Sequence, residues 1–111
     1  MKFTKSLKTN KEFKDVFDNG SSKANKFLVM YVSENNTEEN RLGISVSKKV
    51  GNSVKRHYIK RCIREIYRLH EDMFNSGLNI VVIARVRAKD LKYHDFEDAL
   101  LHLMRISKVC I

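Results

Sequence analysis

Residues 53–65 read SVKRHYIKRCIRE. The side chains able to do chemistry here are cations: Lys55, Arg56, His57, Lys60, Arg61 and Arg64, with Arg68 one helical turn further on. Lysine and arginine bind anionic oxygen, arginine as a two-pronged donor that matches a phosphate. At about 100° per residue on a helix, Arg56, Lys60, Arg64, His57, Arg68 and Arg61 fall within one arc of about 140°. Ile59, Cys62, Ile63, Ile66, Leu69 and Met73 fall on the opposite arc. Only Glu65, at the edge of the strip, offers an opposing charge. A merely solvated face interleaves both signs at i, i+4 spacing. This one does not, and the pattern favours contact with RNA or DNA phosphates.

The distribution of charge along the chain supports that reading. The 111 residues carry a formal net charge of +9. Residues 41–68 hold nine Lys or Arg against one acid, a net of +8. Residues 1–40 balance seven basic groups against six acidic ones, and residues 69–111 balance six against six. Charge concentrated in a quarter of the chain makes a directed field, which suits a polyanionic partner. A membrane surface fits less well, because the helix needs its apolar arc for the core. No apolar run approaches the roughly 18–20 residues of a membrane span, and residues 1–10 lack the apolar middle of a secretory signal peptide. Two cysteines, Cys62 and Cys110, suggest free thiols in a reducing cytosol rather than a disulfide framework.

The helix that carries the strip is expected from Asn52 or Ser53 to Phe74, closed by Asn75, Ser76 and Gly77. Its charges oppose the helix macrodipole at both ends. Lys55, Arg56 and His57 crowd the positive N-terminus, and Glu71 and Asp72 lie near the negative C-terminus. Each such placement costs about 0.3–1 kcal/mol when exposed. Local rules tend to fail where function intervenes, and a helix N-terminus with added cations suits an anion. The last helix, expected from near Asp95, follows the rule instead. Asp95, Glu97 and Asp98 sit at its start, Arg105 and Lys108 near its end, and Phe96, Ala99, Leu100 and Leu103 form its buried stripe.

The remaining elements must position these two helices. Thr9 and Glu12 fit a capping box opening a helix that runs to about Asp18, with Gly20 as its stop. Phe13, Val16 and Phe17 share one face of it. Residues 26–34 read as a strand, with Leu28, Met30 and Val32 on one side and Phe27, Val29 and Tyr31 on the other. Residues 41–47 alternate with Leu42, Ile44 and Val46 inward and Gly43, Ser45 and Ser47 outward. Residues 79–86 form a nearly continuous apolar strand, as in the middle of a sheet. A further short strand fits near residues 21–25. The order is α-β-β-(β)-α-β-α, an α+β two-layer sandwich of helices on one mixed sheet, read as a single RNA-binding domain over residues 1–111. If helices leave part of the second sheet face open, Phe13, Phe17 and Tyr31 border a groove where bases could stack. From pattern alone the three fit a core equally well; Phe27 and Val29 fit the core better.

Other candidate sites fail on spacing. Ser45, Ser47 and Lys48 do not form a supported nucleophilic arrangement. His57 and Cys62 lie on different helix faces and make no zinc pair. His94 and His102 lack further ligands, and residues 43–51 lack the Gly-Lys-Ser/Thr ending of a phosphate loop. No catalytic constellation and no metal site emerges from the side chains.

The stretch RLGISVSKKVGNSVKRHYIKRCIRE, residues 41–65, resembles the bacterial ribonuclease P protein subunit. The likeness extends to residues 13–20, the strand bearing Tyr31 and residues 80–85, in the same order. It implies a small basic protein that joins a catalytic RNA and promotes removal of the 5′ leader from precursor tRNA. The RNA would supply the catalytic groups and hold most of the Mg2+, with no membrane or small-molecule substrate involved and a cytoplasmic location. By the resemblance, Lys48, Lys49, Asn52, Arg56, His57, Lys60, Arg61, Arg64 and Arg68 contact RNA, and Phe13, Phe17 and Tyr31 line the leader cleft. The family motif reads Arg-Asn-Arg where this chain has Arg56, His57 and Tyr58. The resemblance also implies a left-handed β-α-β crossover, against the right-handed form the general rule favours. Two rival readings of the residues are a structural RNA binder of ribosomal type and a module placing the basic helix in a DNA groove. Against the second, no helix-turn-helix pairing is visible.

Overall fold

Thr9 and Glu12 close the capping box. The Glu12 N–H donates to Thr9 Oγ1 at 3.1 Å, and the Glu12 carboxylate accepts from the Thr9 N–H at 3.2 Å. From that start α1 runs Asn10–Asn19 and ends at Gly20. The computed structural model describes residues 4–109, so Cys110 lies outside the described residues. Its other elements are β1 (Thr4–Ser6), β2 (Ser21–Ala24), β3 (Leu28–Glu34), β4 (Asn40–Val46), α2 (Ser53–Leu69), β5 (Leu78–Ala84) and α3 (Tyr93–Ile106). Short 3-10 turns follow α2 and β5, at Glu71–Met73 and Val86–Ala88.

The strands form one mixed sheet in the order β1-β4-β5-β3-β2. β5 lies near its middle, parallel to β4 and antiparallel to β3, in keeping with its apolar run. β2 pairs antiparallel with β3, giving the extra strand expected near residues 21–25. β1 was not visible in the sequence. It pairs parallel with β4 over only Asn40–Leu42, too short to show a periodicity.

Helices α2 and α3 cover one face of the sheet. There Leu28, Met30, Leu42, Ile44, Val46, Ile80 and Val82 meet Ile59, Ile63, Ile66, Phe96, Leu100 and Leu103. Helix α1 sits on the other face, where Val16 packs with Leu7 and Val81 and with the half-buried Phe13, Tyr31 and Ile83. Phe27 departs from expectation. The strand begins at Leu28, so Phe27 leaves the alternation and packs against the α2–α3 core instead of beside Tyr31.

Two glycines let α1 approach the sheet. A Cβ on Gly20 would meet the carbonyl oxygens of Val16 and Val32 at 2.6 and 2.7 Å. One on Gly43 would meet the Phe13 ring at 2.6 Å. Gly43 therefore points away from the main core, as expected, but a ring covers it. The two sites should respond differently to alanine, because a backbone carbonyl cannot yield and a ring tip can. Gly20→Ala is expected to cost about 1–3 kcal/mol, lowering the melting temperature by several degrees. Gly43→Ala should cost less but displace Phe13, seen as a larger change in its aromatic NMR resonances. Equal melting temperatures for the two variants would contradict this.

Candidate nucleic-acid interface

Asn52 opens α2 by accepting the Lys55 N–H at 2.9 Å through Oδ1. The first turn holds no acid. Lys48 and Lys49 are exposed in the turn just before it, where the Val50 N–H bonds to Ser47 O at 3.1 Å. The cations thus crowd the positive end of the helix, as the sequence indicated.

The other end differs. α2 stops at Leu69, short of Phe74, and the His70 N–H and ring Nδ1 both engage the Ile66 carbonyl. Glu71 and Asp72 fall in the following 3-10 turn, at its start, and Arg68 occupies the last turn of α2. The dipole conflict is therefore confined to the N-terminus. Leu69 and Met73, expected in the core, are 55% and 48% exposed: Leu69 is the last residue of α2, and Met73 lies in the 3-10 turn beyond it. Tyr67 is buried instead, at 1% exposure. Its hydroxyl lies 2.8 Å from Thr4 Oγ1 and accepts from the Asn40 amide at 3.4 Å. Burial raises its pKa. A wheel places Tyr67 beside Arg56 and Lys60; its polar partners on β1 and β4 and the Phe74 ring, with centroids 4.7 Å apart, hold it inward.

With Ile59, Cys62, Ile63, Ile66 and Tyr67 buried, the opposite arc faces solvent. His57, Lys60, Arg61, Arg64 and Arg68 are exposed and Arg56 is half-buried. Arg68 is not free. Its guanidinium donates to both carboxylate oxygens of Glu65, at 2.6 and 3.0 Å. That contact holds the Glu65 carboxyl below its usual pKa and raises that of Arg68. Lys55 turns off the strip toward Asp90, 3.9 Å away. Among the described residues, Arg56, Lys60, Arg61 and Arg64 have no acidic partner within salt-bridge distance, nor do Lys48 and Lys49.

The three aromatic residues come together beside the strip. The Phe17 and Tyr31 rings meet edge to face with centroids 4.9 Å apart, and Phe13 lies 6.5 Å from Phe17. Phe17 is 38% exposed and the other two are half-buried. Phe13 and Phe17 line a hollow of about 340 Å³ with Asn10, Lys14, Ser45 and Lys60. Lys60 belongs to both surfaces and joins cleft to strip. The sheet edge adds a feature the sequence did not show. β1 stops pairing at Leu42, whose carbonyl accepts from Leu7 N–H at 2.9 Å. Alternation in a parallel ladder turns the backbone groups of Ile44 and Val46 to the same side, past the end of β1 and into the hollow they line.

The chain is similar to known proteins along nearly its whole length. A family model described as Ribonuclease P matches residues 1–108. The ribonuclease P protein component of Lachnoclostridium phytofermentans is 54% identical over 106 residues, spanning 96% of this chain and 91% of that one. That of Alkaliphilus metalliredigens is 47% identical over 109 residues, spanning 98% of each. Similar solved structures include the RNase P protein of Staphylococcus aureus, with a TM-score of 0.90 and 40% identity over 96% of this chain and 97% of that one. The RNase P protein of Thermotoga maritima gives 0.83 and 30% over 91% and 96%.

The Glu65–Arg68 pair sets Arg68 apart from the free cations. Arg61→Ala should lower the salt dependence of RNA binding by about one unit of slope. Arg68→Ala should lower it by clearly less in the native background, and by the full amount once Glu65→Gln has freed the guanidinium. Titrations across a salt series, arranged as a double-mutant cycle, check this. Equal slopes for Arg68→Ala in both backgrounds would show that the pair does not restrain Arg68.

Proposed function

The chain belongs to the ribonuclease P protein family, whose protein acts with an RNA component in 5′ maturation of tRNA, and on that premise we propose how its surface divides the task. The strip of α2 holds the RNA component through Arg56, Lys60, Arg61 and Arg64, with Lys48, Lys49, Asn52, His57 and Arg68 at its margins. The cleft of Phe13, Phe17 and Tyr31 receives the single-stranded 5′ leader of precursor tRNA. Phosphates pair with the cations while bases stack on the rings, each stacked base contributing about 1–3 kcal/mol. The observation that carries this reading is the continuity of the two surfaces through Lys60. The RNA component on the strip and the leader in the cleft then come together at Lys60.

The chain's own residues do not suit Mg2+, which prefers carboxylate oxygen. Among the described residues no three His, Cys, Asp or Glu side chains cluster to hold a metal, and the one carboxylate on the strip is engaged by Arg68. The reading therefore leaves Mg2+ to the RNA component and the substrate. The protein positions the leader and screens phosphate repulsion; bond cleavage belongs to the RNA. A cytoplasmic location is part of the same proposal. Among the described residues no helix is long and apolar enough to cross a membrane.

Reconstitution tests the whole reading. This protein, mixed with a bacterial ribonuclease P RNA at low Mg2+, should promote 5′ cleavage of a precursor tRNA that neither component achieves alone. Phe17→Ala and Tyr31→Ala should weaken precursor tRNA binding by roughly 5- to 150-fold per lost stack and leave mature tRNA binding nearly unchanged. Equal losses for both substrates would point to a destabilised fold and against the cleft. Arg61→Glu with Arg64→Glu should abolish tight binding of the RNA component at moderate salt; unchanged affinity and salt slope would remove the strip from the interface.

A further inference from the structure

On the side of α2 away from the cleft lies a second hollow, of about 510 Å³, lined by Tyr58, Arg61, Cys62, Arg64, Glu65 and Tyr93. Its size falls within the range of pockets that accept small rigid groups. Its chemistry is unusual for a surface otherwise made of charges. Tyr58 is 41% exposed although it sits between cations on the helix. Tyr93, the first residue of α3, supplies a second, half-buried ring. Cys62 is buried at its base. The Tyr58 hydroxyl lies near the Cys62 thiol and the Tyr93 backbone, and the neighbouring thiol raises the phenol pKa. Arg61 and Arg64, both exposed and without acidic partners among the described residues, stand at the rim.

We propose that this hollow receives an unpaired nucleobase of the partner RNA, stacked on Tyr58 and Tyr93 while Arg61 and Arg64 hold the flanking phosphates. The inference rests on the reading of α2 as the RNA-binding strip. Aromatic side chains that line one hollow bind any base through its π-face, and arginines beside them bind the backbone that carries it. A base can enter only if it leaves its own stack, so the target is a bulge, loop or end of the RNA and not a regular duplex. The position also explains the sequence at residue 58. A tyrosine there removes one phosphate contact from the strip and replaces it with a stacking platform.

Three variants and one small probe test the proposal. Tyr58→Leu keeps an apolar side chain at an exposed site but removes the ring. It should weaken binding of a ribonuclease P RNA by about 5- to 150-fold, with the salt slope unchanged because no phosphate contact is lost. Tyr58→Phe keeps the ring and should bind within about twofold of the native protein, a difference far below that of a lost stack. Adenosine 5′-monophosphate, added to the free protein, should shift the ring resonances of Tyr58 and Tyr93; ribose 5-phosphate should not. Native-like binding by Tyr58→Leu, or equal losses in the leucine and phenylalanine variants, overturns base stacking. If Arg61→Glu with Arg64→Glu still abolishes binding in that case, the strip stands and only the base pocket falls. If that charge reversal also has no effect, both readings fall together.

Discussion

The burial of one arc of α2 against the sheet governs the rest of the molecule. Ile59, Cys62, Ile63, Ile66 and Tyr67 are at most 6% exposed. Removing a large apolar side chain from water contributes about 1.5–3 kcal/mol. A cation at the wrong end of an exposed helix costs about 0.3–1 kcal/mol, and each repulsion between neighbouring cations costs a few tenths. Burial outweighs the electrostatic strain residue by residue. The helix can therefore carry Lys55, Arg56, His57, Lys60, Arg61 and Arg64 with little compensation, because its fold does not depend on the exposed arc. That arc is free to be shaped by an anionic partner.

Burial also fixes the rotation of α2, and the rotation places the two hollows. Turning Tyr67 inward brings Lys60 to the α1 side, where it meets Phe13 and Phe17. It brings Arg61 and Arg64 to the α3 side, where they meet Tyr58 and Tyr93. The hydroxyl of Tyr67 between Thr4 and Asn40 sets this rotation. Asn40 ties the same point to the start of β5: its amide donates to Asn75 O at 2.9 Å and its Oδ1 accepts from the Leu78 N–H at 2.9 Å. A small buried polar cluster thus connects β1, β4, α2 and β5, and none of its members touches the exposed strip. Buried polar groups of this kind are costly if any partner is lost, which makes the rotation well defined.

On the other sheet face, α1 can sit close because Gly20 and Gly43 lack a Cβ. Val16 anchors the helix in the small core with Leu7 and Val81. Phe13 and Phe17, one turn apart on either side of that anchor, then lie over this sheet face, Phe13 against Gly43 and Phe17 against Tyr31. The anchor separates stability from recognition: Val16 is fully buried, while Phe17 keeps over a third of its surface exposed.

Much of this was legible along the chain. The capping box of α1, the alternation of β4, the apolar run of β5, the stripe of α3 and the one-signed strip of α2 are local patterns with periods of two or 3.6 residues. The sequence by itself determined which residues form the cationic arc and which elements carry the aromatic ones. Tertiary structure alone decided that β1 pairs with β4, that α2 ends at Leu69, that Tyr67 and not Leu69 is buried, and that Phe27 leaves the face of Tyr31. It also brought Tyr58 beside Tyr93 and the open edge of β4 beside Lys60. Each of these depends on groups far apart in the chain, such as Thr4 with Tyr67 or Tyr58 with Tyr93. A periodic pattern reports only which way a side chain points from its own element; what it meets there is set by packing between elements.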